Sequence, residues 1–119
     1  MPPSFVSLMT LAAMAVLLPH AAQAATVTLD LPGTLDRQVI SYACEGSDVP
    51  LPVTYLNLPD TQLAVLAVGG TPRAFVSVMA GSGAKYASGS AVWWTRGSIA
   101  DLYDERKPDA KPTRCKVVR

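Results

Sequence analysis

Histidine is nearly missing from this chain: the only one is His20, within the first two dozen residues. Beyond that point there is no base for Ser-His-Asp or Cys-His catalysis and no histidine for a metal site. An excess of charge of one sign is missing too. Ten Lys/Arg stand against nine Asp/Glu, all of them after residue 24, for a net charge of +1. Such a balance announces neither nucleic acid nor an anionic membrane as partner. Cysteine is limited to Cys44 and Cys115. Helical periodicity over ten or more residues does not occur after residue 24, which argues against a helical domain.

What the first 24 residues do have is the pattern of an export signal. Residues 5–18 form an apolar run, Pro19 breaks it, and Ala22-Gln23-Ala24 is an A-x-A cleavage signature. The run is shorter than the roughly 20 residues a bilayer span needs. No Lys or Arg precedes it, so the signal is weakly charged or the start lies upstream; the alternative is a buried N-terminal helix. With residues 1–24 as signal peptide, residues 25–119 form one small domain. In an exported chain two cysteines imply one disulfide, Cys44 to Cys115, if the fold brings them together. Closing a loop of about 70 residues stabilises by roughly 4 kcal/mol on the chain-entropy view.

The rest reads as short strands and turns. Residues 26–31 alternate and end at Pro32-Gly33. Residues 37–44 read as a strand with Ile40, Tyr42 and Cys44 on its greasier face. Residues 51–57 place Val53 and Tyr55 on one face, and residues 62–68 are so apolar that burial on both faces, or a face against a dense core, is expected. Residues 73–79, 98–103 and 113–118 are further strands. The segment 104–112, charged and broken by proline, reads as a solvated, mobile connection. About eight short strands with Gly/Pro turns make an all-β fold, an antiparallel barrel or a sandwich.

The most distinctive stretch runs from Gly81 to Gly97. Glycines flanking Ser82 hold a hydroxyl out on a loop tip, and Thr95-Arg96-Gly97 places a permanent cation on a second turn. Gly81-Ser82-Gly83 is not a nucleophile elbow, because Ala80 and Ala84 stand where that motif needs glycine. Trp93 and Trp94 are neighbours on a strand, so they face opposite sides and cannot form one flat sugar platform; one belongs to the core and the other is partly exposed. Asp104 and Glu105 sit among counter-charges and do not form a catalytic carboxylate pair. No enzyme activity, cofactor or metal is expected.

The run Ser82-Gly83-Ala84-Lys85-Tyr86, then Trp93-Trp94-Thr95-Arg96-Gly97 and Ala100-Asp101-Leu102, closely resembles the bacterial inhibitors of C-type lysozyme. So do Tyr42-x-Cys44, Val53-x-Tyr55-x-Asn57 and the late Cys115. The resemblance implies an antiparallel β-barrel of about eight strands locked by one disulfide, exported to the periplasm, whose protein partner is a C-type lysozyme. It implies inhibition by loops entering the lysozyme cleft, with Ser82, Gly83, Tyr86, Thr95 and Arg96 as the lysozyme-binding residues. The family usually carries lysine at the position of Arg96; arginine keeps the charge and adds a planar fork. Lipid-anchored members need a cysteine directly after the cleavage point, where this chain has Ala25. A soluble periplasmic form without a lipid anchor, monomer or homodimer, is therefore expected. The competing reading from the residues is a periplasmic barrel module that binds a cell-envelope glycan or a small ligand.

Overall fold

The computed structural model describes residues 2–5, 11–19 and 24–119. Part of the expected export signal, including residues 6–10, His20, Ala22 and Gln23, lies outside the described residues. Those of 2–19 that are described carry neither helix nor strand, and Phe5, Leu11, Met14 and Leu17 are exposed.

Eight strands follow in order: β1 Asp36–Cys44, β2 Leu51–Asn57, β3 Gln62–Val68, β4 Thr71–Val78, β5 Ala84–Ser88, β6 Ala91–Arg96, β7 Ile99–Asp104 and β8 Thr113–Val117. Each pairs antiparallel with the next, and β1 pairs with β8 to close the barrel. The closing seam is short, pairing Tyr42–Cys44 of β1 with Cys115–Val117 of β8, so closure covers the sheet edge only along that stretch. It also resolves the choice between barrel and sandwich in favour of the barrel.

A small closed barrel has one interior face per strand, and the sequence supplies one apolar set per strand. Tyr42, Val53, Tyr55, Ala64, Leu66, Phe75, Tyr86, Trp93, Ala100 and Cys115 form a single buried cluster. In strand β3 it is the second expectation that holds, one face on the core. Ala64 and Leu66 are buried, whereas Leu63, Val65 and Ala67 on the outer face are only partly covered. The outer apolar residues of β3 reflect a greasy exterior there: Leu63 lines a groove with Leu56, Leu58, Val27, Leu29 and Leu31. The segment 26–31 forms no strand.

The interior polar groups are matched to one another. Trp93 Nε1 donates to the Tyr55 hydroxyl at 2.9 Å, and the Tyr42 and Tyr55 hydroxyls share a bond at 2.7 Å. Burial pushes the pKa of Tyr55 well above its ordinary value, so the cluster stays neutral. Tyr42 meets Trp93 edge to face, with ring centroids 5.0 Å apart. The two cysteines oppose one another across the closing seam between β1 and β8, with Cα atoms 4.0 Å apart, and are bonded.

Candidate functional site

In an up-and-down barrel, alternate loops gather at each end. The loop after β4, carrying Ser82, and the turn after β6, carrying Arg96, therefore emerge at the same end. Strands β5 and β6 pair with Ala84 opposite Thr95, so the residues just beyond that pair, Gly83 and Arg96, are brought side by side.

Contact between the loops is close. Gly83 has φ of +66°, and a methyl group there would overlap the Thr95 carbonyl oxygen and come within 2.7 Å of Arg96 Cγ. Glycine is required twice, by the left-handed backbone and by the approach of the second chain segment. Trp94 Nε1 donates to the Ser82 carbonyl oxygen at 2.9 Å, and Thr95 Oγ1 donates to the Ala84 carbonyl oxygen at 3.2 Å. The two loops are thus one protrusion, with Ser82, Gly83 and Arg96 exposed at its surface.

Arg96 is held from its other side. Its Cζ lies 4.3 Å from the Trp94 ring centroid, and Lys85 Nζ lies 5.3 Å from the same ring. Arg96 Nη2 donates to Asp101 Oδ2 at 3.3 Å, while Arg114 contributes two bonds to the same carboxylate at 3.0 and 3.2 Å. The cross-strand register explains this meeting: Trp94 stands opposite Asp101, and Asp101 opposite Arg114. The Arg114 bonds, followed by the positive charges of Arg114 and Arg96, hold the Asp101 carboxyl below the usual carboxylate range against the opposing effect of burial. Only Nη2 of Arg96 is used. A guanidinium has five donors, so the remaining ones are free among the described residues and the side chain is half-exposed.

Of the five residues expected to bind lysozyme, the structure brings Ser82, Gly83, Thr95 and Arg96 together at one end. Tyr86 is placed differently: it is 6% exposed, points into the barrel and packs beside Tyr55. The alternation of the tryptophans is as expected, with Trp93 fully buried and Trp94 partly exposed. Sequence reasoning missed the roles of Trp94 and Asp101 in tying the loops. The signal was present, since a two-residue turn at Gly97-Ser98 sets Trp94 opposite Asp101. The connection 104–112 is solvated as expected, with residues 105–112 exposed, and carries two surface ion pairs, Glu105 to Lys85 at 3.5 Å and Lys111 to Glu45 at 3.6 Å. It walls a cleft of about 670 Å³ next to Trp94, Arg96 and Asp101. No cluster of three or more metal-ligating side chains occurs among the described residues.

Residues 42–111 match the family described as membrane-bound lysozyme-inhibitor of c-type lysozyme. The chain belongs to this family. It is 42% identical over 69 residues to the membrane-bound lysozyme inhibitor of C-type lysozyme of Cupriavidus necator, a match covering 58% of this chain and 54% of that protein. Over 82 residues it is 43% identical to the protein of the same name from Pseudomonas aeruginosa, covering 66% of this chain and 64% of that one. The chain thus spans less than two thirds of the length of these relatives. Pseudomonas aeruginosa MliC, in a crystal structure in complex with hen egg white lysozyme, has a similar fold: TM-score 0.68, 35% identity, 83% of this chain and all of that one.

Proposed function

We propose that this protein inhibits C-type lysozyme by placing the Ser82 loop and the Arg96 turn in the active-site cleft of the enzyme. The observation that carries this reading is the fusion of the two loops at Gly83, which presents a hydroxyl and a guanidinium as one rigid projection. A rigid projection binds with less ordering cost than two free loops.

The chemistry suits the target. A retaining lysozyme works with a protonated glutamic acid and an ionised aspartate about 5 Å apart. The Ser82 hydroxyl can accept from the acid and donate to the carboxylate. The spare donors of Arg96 can pair with a carboxylate in a cleft emptied of water, where such a bond is stronger than at a surface. Asp101 keeps the guanidinium pointed while the fork reaches outward. The protein transforms nothing; it occupies the site and excludes substrate.

The reading is tested by mixing residues 25–119, oxidised, with a C-type lysozyme and following lysis of bacterial cell walls. Stoichiometric loss of lysis is expected; undiminished lysis at excess protein rejects inhibition. The same reading includes export to the periplasm, cleavage after Ala24 and release without lipid, because both cysteines are in the disulfide and residue 25 is alanine. Intact-mass spectrometry of the periplasmic fraction should give a chain that begins at Ala25. A diacyl adduct or a retained Met1 contradicts it.

A further inference from the structure

At the barrel end opposite the Ser82 and Arg96 loops, the turns after β3 and β5 and the long connection after β7 surround an open mouth of about 520 Å³. Four cations line it, Arg73, Arg106, Lys107 and Lys111, against one carboxylate, Asp104. On a chain of net charge +1 this is a marked local excess. Arg106 is engaged with Asp104 at 3.0 Å and Lys111 with Glu45 at 3.6 Å. Arg73 and Lys107 form no ion pair among the described residues.

Arg73 is the unusual member. It lies two residues before the fully buried Phe75 and opposite Leu66, so it shares the inward face of β4. Its guanidinium donates to the Ser88 carbonyl oxygen at 2.9 Å and has no carboxylate beside it. A half-buried cation at a barrel mouth with only a carbonyl for partner retains most of its charge for an incoming group. Ser90 and Thr113 add hydroxyls to the same cavity, and Val68 and Leu102 give it an apolar floor.

We propose that this mouth binds a phosphate monoester carried on a small polar body, of phosphosugar size. Two uncompensated cations match the charge of about −1.5 to −2 that a phosphate monoester carries near neutral pH. The planar fork of Arg73 suits phosphate oxygens, and Lys107 supplies a second point charge. The volume falls within the range of small-ligand sites, roughly 300–1,000 Å³. The phosphate could belong to a free phosphosugar or to a lipid headgroup at an envelope surface.

Calorimetric titration of residues 25–119 with glucosamine 1-phosphate, and with glucosamine as control, tests the site. Saturable binding of the phosphate ester alone is expected, weakened at least tenfold by Arg73→Gln and by Lys107→Gln, with lysozyme inhibition unchanged in Arg73→Gln. Sedimentation with phosphatidic acid vesicles, against phosphatidylcholine vesicles, separates the sources. Retention only on phosphatidic acid, lost in Lys107→Gln, supports the same site with a lipid headgroup as its source. Lys107 is exposed, so that variant remains informative if Arg73→Gln fails to fold. Binding of neither probe, or binding that both variants preserve, overturns the proposal. Because Arg73 lies at the end of the barrel away from the inhibitory loops, failure here leaves the lysozyme reading intact, and failure there leaves this one.

Discussion

At Gly83 the backbone takes φ of +66° against the Thr95 carbonyl oxygen, and one added methyl group acts on both loops at once. The left-handed backbone alone costs a non-glycine residue about 1–2 kcal/mol, and the overlap adds displacement of the Arg96 turn. Gly83→Ala should therefore lower the melting temperature and weaken inhibition together, read by thermal melts and by an inhibition constant. An alanine variant that melts and inhibits like the parent contradicts the contact. Ser82 and Arg96 were legible because glycine flanks both and because the resemblance falls on them residue by residue. Asp101 was legible only as a member of a motif. Its work comes from taking bonds from Arg114 and Arg96 on one small carboxylate, and that needs the register of three strands.

At the scale of the strand, β6 carries two adjacent indoles with opposite duties. Trp93 faces inward and donates to Tyr55; Trp94 faces outward and donates to the Ser82 carbonyl. Trp93→Phe removes a buried hydrogen bond and leaves a void, so it should destabilise by about 2–4 kcal/mol. Trp94→Phe should cost about 1 kcal/mol or less in stability yet loosen the Ser82 loop and weaken inhibition. Chemical denaturation of both variants, beside their inhibition constants, checks the contrast; equal stability losses contradict the assignment of faces. Period-two alternation made β1, β2 and β6 readable. At β3 the continuous apolar run left open burial on both faces or one face on a dense core, and the second holds with Leu63 and Val65 outside the barrel, because residue type alone does not separate a buried outer face from a greasy exposed one. The connection 104–112 was read as solvated from its charges and prolines, and residues 105–112 are exposed; its ion pairs to Lys85 and Glu45, far away in sequence, were not legible.

For the whole molecule, the Cys44–Cys115 bond ties the first strand to the last, with 71 residues of sequence separation. On the chain-entropy view such a closure contributes roughly 4 kcal/mol, a large share of the stability of a small domain. Reduction should lower the melting temperature by roughly 15–30 °C, at about 4–8 °C per kcal/mol for a domain of this size; an unchanged melt on reduction contradicts it. The barrel also sets the two loops at one end, and their shared task is tested most directly through inhibition itself. The measurement is the inhibition constant against a C-type lysozyme for Ser82→Ala, Arg96→Ala and the double variant, with thermal melts as the folding control. Each single variant should lose at least about thirtyfold, the equivalent of about 2–5 kcal/mol for a contact to a buried carboxylate. The melts should stay within about 1 kcal/mol of the parent, since Ser82 is exposed and the Arg96 ion pair is half-exposed. Because the loops touch at Gly83, the double variant should fall short of the product of the single losses. Alanine variants that fold and inhibit as well as the parent would contradict the two-loop plug.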